Sequence, residues 1–126
     1  MRSSHVAGVL AIIIASGTAA TSAVLDAEAL HSAVGADEYE RVRENRRNAY
    51  EYLPTNDEDW QLALDAHREL ALTGRHRSVG IADLLTATLA MVHRLTVLHY
   101  DADFETAATV LDFEHRWIAP RGSLRL

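Results

Sequence analysis

Hydrophobic positions fall along this chain in two rhythms, a helical stripe and a short unbroken run. Near the start, Val6, Val9, Leu10, Ile13 and Ile14 recur at the spacing of one helix face, and Gly17 stands where a helix often stops. Residues 6–15 are therefore read as a helix. Two other readings compete for the same residues. Arg2 ahead of the apolar run, with Thr18-Ala19-Ala20 behind it, has the order of a secretory signal peptide. The β-branched Ile12-Ile13-Ile14 suits a strand. The run is too short for a membrane span of about 20 residues.

Further along, residues 20–25 read as a short strand, and a helix begins at Asp26 and includes Leu30. Gly35 breaks it, and Asp37 is the expected N-cap of a charged helix over residues 37–53, with Tyr39, Val42, Tyr50 and Leu53 inward. Arg41, Arg43, Arg46 and Arg47 crowd this helix, as either a solvated face or a stripe for a phosphate or partner. Pro54-Thr55-Asn56-Asp57 is a turn, and Asp57, Glu58 and Asp59 suit the positive end of the helix that follows over residues 60–72, with Leu62, Ala66 and Leu70 inward. Thr73-Gly74 ends that helix, and Arg75-His76-Arg77-Ser78 forms a basic exposed loop.

Residues 81–92 are too long an apolar run for a typical strand and are rich in helix formers. Residues 95–100 read as a strand, 104–111 as a short helix and 116–119 as a last strand closed by Pro120-Arg121-Gly122. Helices alternating with short apolar strands predict one α/β domain over residues 1–126, with a mainly parallel central sheet flanked by helices. In such folds, sites lie beyond the carboxyl ends of the strands.

Composition narrows the chemistry. The chain of 126 residues is 48% hydrophobic and has no cysteine, which excludes disulfides, thiol catalysis and Cys-based zinc sites. Its net charge of −6 is opposite to that of a protein binding nucleic acid by bulk charge, so any such contact must be local and metal-assisted. The 12 basic residues are all arginine, which suits bidentate phosphate contacts and equally reflects a coding bias. The seven histidines, among them His67, His76, His93, His99 and His115, lie on different elements without ligand-like pairing. No Ser-His-Asp order or glycine-rich phosphate loop is present.

Three acids, Glu28, Asp101 and Asp103, stand where the fold rule puts chemistry, and Asp83 joins them as a fourth candidate. Glu28 follows a strand, Asp83 sits in the first turn of the apolar helix, and Asp101 and Asp103 directly follow the strand over 95–100. Hard cations such as Mg²⁺ take a few carboxylates plus water. Each acid also has a plain structural role: Asp83 at a helix dipole, Asp101 and Asp103 as caps, Glu28 as a surface group.

Four stretches, taken in order, resemble PIN-domain ribonucleases of the VapC type, especially actinobacterial ones. They are Val24-Leu25-Asp26-Ala27-Glu28-Ala29-Leu30-His31-Ser32-Ala33, then RHRSVGIADLLTAT over residues 75–88, LTVLHYDADF over residues 95–104, and WIAPRGSL over residues 117–124. The likeness spans residues 24–124; residues 1–23 are atypical. It implies a three-layer PIN-like α/β fold and a metal-dependent endoribonuclease, the toxin of a type II toxin–antitoxin pair. It further implies Mg²⁺ or Mn²⁺, an RNA substrate, a VapB-like antitoxin, a cytoplasmic location without membrane attachment, and commonly a homodimer. The family's acids fall on Glu28, Asp83, Asp101 and Asp103. Asp83 and Asp101 are the expected direct ligands, with Glu28 and Asp103 acting through water. Arg75 and Arg77 are candidates for RNA phosphate contacts.

One departure stands out. The family opens with a strand ending in Asp, and here no acid precedes Asp26. With residues 6–15 as the family's first helix and 20–25 as its second strand, the opening strand would lie upstream of Met1, through truncation or a misassigned start. The rival alignment puts that strand at Ile12-Ile13-Ile14, with Ala15 in place of Asp, but leaves too little chain before Glu28 for a parallel crossover. The missing acid favours an alternative function: a catalytically impaired remnant that still binds the antitoxin. A secreted α/β domain is a third reading, resting only on the N-terminal run.

Overall fold

The computed structural model describes residues 12–15 and 18–124. Five strands form one sheet: β1 (Ile12–Ala15), β2 (Thr18–Thr21), β3 (Glu51–Tyr52), β4 (Thr96–His99) and β5 (Glu114–Trp117), in the spatial order β3-β2-β1-β4-β5. The described helices are α1 (Ala23–His31), α2 (Gly35–Ala49), α3 (Asp57–Ala71), α4 (Ile81–His93) and α5 (Asp103–Ala107). None of them is long and apolar enough to cross a membrane.

The expectation of a helix over residues 6–15 is corrected. Residues 6–11 lie outside the described residues, but Ile12–Ala15 is a strand at the centre of the sheet. The local helical spacing gave way to tertiary packing: Ile13 is fully buried and sits opposite Val97 on one side and Ala20 on the other. β1 runs antiparallel to both neighbours, while β2 pairs parallel with β3 and β4 parallel with β5. The other four strands therefore share one direction, and β1 alone is reversed. A parallel β1 would need a crossover of a dozen or more residues before β2; an antiparallel one needs only the two residues between Ala15 and Thr18. The second strand is likewise shifted from 20–25 to Thr18–Thr21, and Val24 and Leu25 belong to α1.

On the face of β4 that carries Val97, one core joins Ala66 and Leu70 of α3, Leu84, Ala87 and Ala90 of α4, and Phe104 and Ala107 of α5. α4 is buried without interruption from Leu84 to Ala90, which is why its sequence reads as an apolar run rather than a stripe. Thr86 and Thr88 are buried within it because each hydroxyl donates to a carbonyl one turn back, of Ala82 and Leu84. α3 begins with a reciprocal capping box: the Asp59 N–H donates to the Asn56 side chain at 2.9 Å, and the Asn56 N–H donates to the Asp59 carboxylate at 3.0 Å. Gly74, at φ 72°, follows it in the left-handed region that favours glycine. A second, smaller core of Ile13, Ala20, Leu25 and Leu53 closes the β1–β2 side.

α2 contributes no buried residue, against the expectation of an inward stripe: Tyr39 is exposed, and Val42 and Tyr50 are only half-buried. It also ends at Ala49, where the chain turns into the two-residue β3 instead of continuing to residue 53.

Candidate metal centre

The carboxyl ends of β2, β3, β4 and β5 share one edge of the sheet, as their common direction requires. Beyond β4 the chain turns through Asp101 into α5, which starts at Asp103. The Asp103 N–H donates to Asp101 Oδ1 at 2.9 Å, a local turn that holds the two side chains together. Asp83 enters from the first turn of α4. Carboxylate oxygens of Asp83, Asp101 and Asp103 lie within 4.8 Å of one another, and all three residues are half-buried. Glu28, exposed on α1, lies outside this group, yet its charge is felt at Asp83.

The electrostatics record the crowding. Burial first, and then the charges of Asp101, Asp103 and Glu28, push the Asp83 carboxyl up to about 7. Burial and the neighbouring Asp101 also raise Asp103. With its carboxyl near 7, Asp83 is protonated for part of the time near neutral pH, which relieves the repulsion among the three acids. This donor set, oxygen-only and under-compensated in charge, fits a small hard divalent cation.

Two of the histidines, which lie on different elements, meet across β4 and β5 in a ring–ring hydrogen bond. His99 Nε2 and His115 Nδ1 are 2.9 Å apart. The parallel register sets Val97 opposite His115 and His99 opposite Trp117, so His99 and His115 share one face of the sheet as diagonal neighbours. His99 is fully buried, with its ring near Phe104, His115 and Trp117. Burial, then the neighbouring His115, lowers its pKa to about 4, so the ring is neutral. Its Nδ1 accepts the Asp101 N–H at 3.1 Å, which leaves the ring proton on Nε2 to be donated to His115. Alternation within LTVLHY, which puts His99 on the face of Val97, was the signal in the sequence for this buried histidine.

Arg75 is tied back by hydrogen bonds to Thr73 Oγ1 at 2.9 Å and Thr109 Oγ1 at 3.3 Å, whereas Arg77 is exposed. Sequence reasoning left the role of Asp26 unassigned. Its carboxylate accepts from Thr21 Oγ1 at 2.8 Å and from Arg46 Nε at 2.9 Å, locking α1 to β2 and α2.

The PIN domain family matches residues 2–110 of the chain. Ribonuclease VapC21 of Mycobacterium tuberculosis strain H37Rv is 35% identical over 107 residues, covering 85% of this chain and 78% of that protein. Ribonuclease VapC18 from the same strain is 34% identical over 99 residues, with 77% and 72% covered. Ribonuclease VapC51 is 33% identical over 108 residues, with 86% and 77% covered.

Proposed function

The chain belongs to the PIN-domain family as a protein of the VapC type, and on that premise we propose that it is a divalent-metal-dependent endoribonuclease, the toxin of a type II toxin–antitoxin pair. The observation that carries this reading is the meeting of Asp83, Asp101 and Asp103 carboxylates within 4.8 Å at the carboxyl edge of the sheet. Asp83, Asp101 and Asp103 would hold Mg²⁺ or Mn²⁺, and Glu28, on the neighbouring helix, would position water. When bound, such an ion lowers the pKa of its water and stabilises charge developing on a phosphate. The residues' own part is to release the proton that the raised Asp83 carboxyl holds, to fix Asp101 through His99, and to keep the acids half-shielded from solvent. A VapB-like antitoxin, a cytoplasmic setting and a homodimer complete the proposal.

A second reading is favoured by one observation. β1, the central strand, is Ile-Ile-Ile-Ala, reversed against its neighbours, and brings no acid to the cluster. A toxin remnant with impaired catalysis that retains antitoxin binding accounts for that. Cleavage of RNA by purified protein with Mn²⁺, beside an Asp83→Asn control, separates the two. Metal-dependent cleavage lost in the variant supports the enzyme; equal trace cleavage by both proteins supports the remnant.

A further inference from the structure

A cavity of about 380 Å³ opens where α1 and α2 meet the ends of β2 and β3. Its walls include Thr21, Asp26, Arg43, Arg46, Arg47, Tyr50 and Tyr52. That volume lies within the roughly 300–1,000 Å³ of small-ligand sites. Three arginines and one aspartate line it, on a chain whose net charge is −6.

The interior of this cluster is built. Arg46 Nε donates to Asp26 at 2.9 Å, Arg46 Nη2 donates to Thr21 Oγ1 at 3.0 Å, and the guanidinium lies 4.7 Å from the Tyr50 ring centroid. Asp26 therefore compensates Arg46. Among the described residues Arg43 has one ion-pair partner, the exposed Glu40 at 3.8 Å, a contact worth little. Arg47 has no ion-pair partner among the described residues. Tyr52 stands 53% exposed at the end of β3. Arginines with weak or no ion pairing beside an open aromatic ring are the combination that grips single-stranded nucleic acid, phosphate on the cations and base on the ring.

Position strengthens the argument. The cavity and the acid cluster lie at the same edge of the sheet, because β2, β3 and β4 run the same way. β2 and β4 are separated only by β1, and α1 carries both Asp26 of the cavity and Glu28, whose charge is felt at Asp83.

We propose that this cavity is a subsite for one nucleotide of single-stranded RNA, with its phosphate on Arg43 and Arg47 and its base against Tyr52. The inference rests on the ribonuclease reading and adds to it where the substrate is held away from the acids. An acidic polypeptide is the competing occupant. RNA is favoured because the exposed ring gives a stacking face and the cavity shares its edge with the acids.

The test uses the full chain carrying Asp83→Asn, so that RNA is bound without being cut. Affinity for a fluorescent single-stranded RNA oligomer is measured by anisotropy in EDTA across a salt series. Arg43→Gln combined with Arg47→Gln should weaken binding roughly tenfold and reduce the steepness of the salt dependence by about 0.7 per lost phosphate contact. Tyr52→Ala should weaken binding by about tenfold with the salt dependence unchanged. Arg47 and Tyr52 are exposed and Arg43 is half-buried, so the thermal midpoint is measured for both variants, and a loss of affinity counts only where the midpoint holds. Parent-like affinity in both variants, while Asp83 still governs cleavage of RNA, overturns the subsite and leaves the ribonuclease standing. No RNA binding by the parent, with no cleavage by the unmutated chain, overturns both. Loss of binding to a polyglutamate peptide in the double arginine variant, with RNA affinity unchanged, overturns the subsite in favour of a protein partner.

Discussion

The backbone N–H of Asp101 donates to Nδ1 of the fully buried His99 at 3.1 Å, so a histidine in the core of the sheet fixes where a carboxylate of the acid cluster begins. The same ring reaches His115 through Nε2. Two substitutions separate these duties. His99→Asn keeps a polar atom near the Nδ1 position and loses the reach to His115; His99→Gln does the reverse. His99→Gln should therefore weaken Mn²⁺ binding, read by titration calorimetry, more than His99→Asn does. Each should cost about 1–3 kcal/mol of stability for the polar group left unpaired. Equal Mn²⁺ affinity in the two variants would show that the Asp101 contact does not position the site.

The raised Asp83 carboxyl makes stability depend on pH in a direction opposite to that of an ion-paired acid. Its folded value of about 7 lies above its ordinary value of 3.8. The stabilising contribution is complete below pH 3.8 and is lost as pH rises through 7, because the unfolded chain ionises first. For this group, the metal-free protein should unfold more easily at pH 8 than at pH 5. Asp83→Asn should flatten that trend, and Mn²⁺ should raise the thermal midpoint more at pH 8 than at pH 5 in the parent alone. A metal-free midpoint that rises from pH 5 to pH 8 and is unmoved by Asp83→Asn would contradict this account.

The acids at the carboxyl edge were legible in the sequence because strand and helix ends announce themselves locally. Asp101 follows the alternation of LTVLHY, and Asp83 opens an apolar helix. Three features were not legible, for the same reason. Ile13 and Ile14 satisfy a helix stripe and a strand equally well, and only the strand partners Val97 and Ala20 decide for the strand. The His99–His115 bond depends on the register of β4 against β5, which sequence spacing does not encode. The Asp26–Arg46 lock likewise joins residues 20 positions apart.

The reversed central strand has a direct consequence for stability. Ile13 is fully buried between β2 and β4, and Val97 opposite it is fully buried as well. Ile13→Ala should cost about 2–5 kcal/mol, measured by urea unfolding, and Ile13→Val about 0.5–1.5 kcal/mol. A helix packed loosely against the sheet would tolerate both changes with little loss, so a cost below about 1 kcal/mol for Ile13→Ala would speak against β1 at the centre.

Cleavage should follow the geometry of the acids in rank order. Asp83, Asp101 and Asp103 lie within 4.8 Å of one another, and Glu28 stands outside that group on an exposed helix face. Removing the charge of a direct ligand lowers both the affinity for the ion and the precision of its placement. Misplacement near 1 Å costs on the order of 10²-fold in rate. Asp83→Asn and Asp101→Asn should therefore each reduce Mn²⁺-dependent RNA cleavage by about 10²-fold or more. Glu28→Gln, acting on water and on the field at Asp83, should reduce it by roughly 10–100-fold. The parent itself should be slow, because Ile12–Ala15 supplies no acid and the ion is held by fewer charges than a site with a carboxylate on its central strand. Raising Mn²⁺ should recover part of the rate in Glu28→Gln, where all three clustered acids survive, and none in Asp83→Asn. Equal losses in Glu28→Gln and Asp83→Asn, both rescued alike by added Mn²⁺, would move Glu28 into the ligand set and break the three-acid assignment.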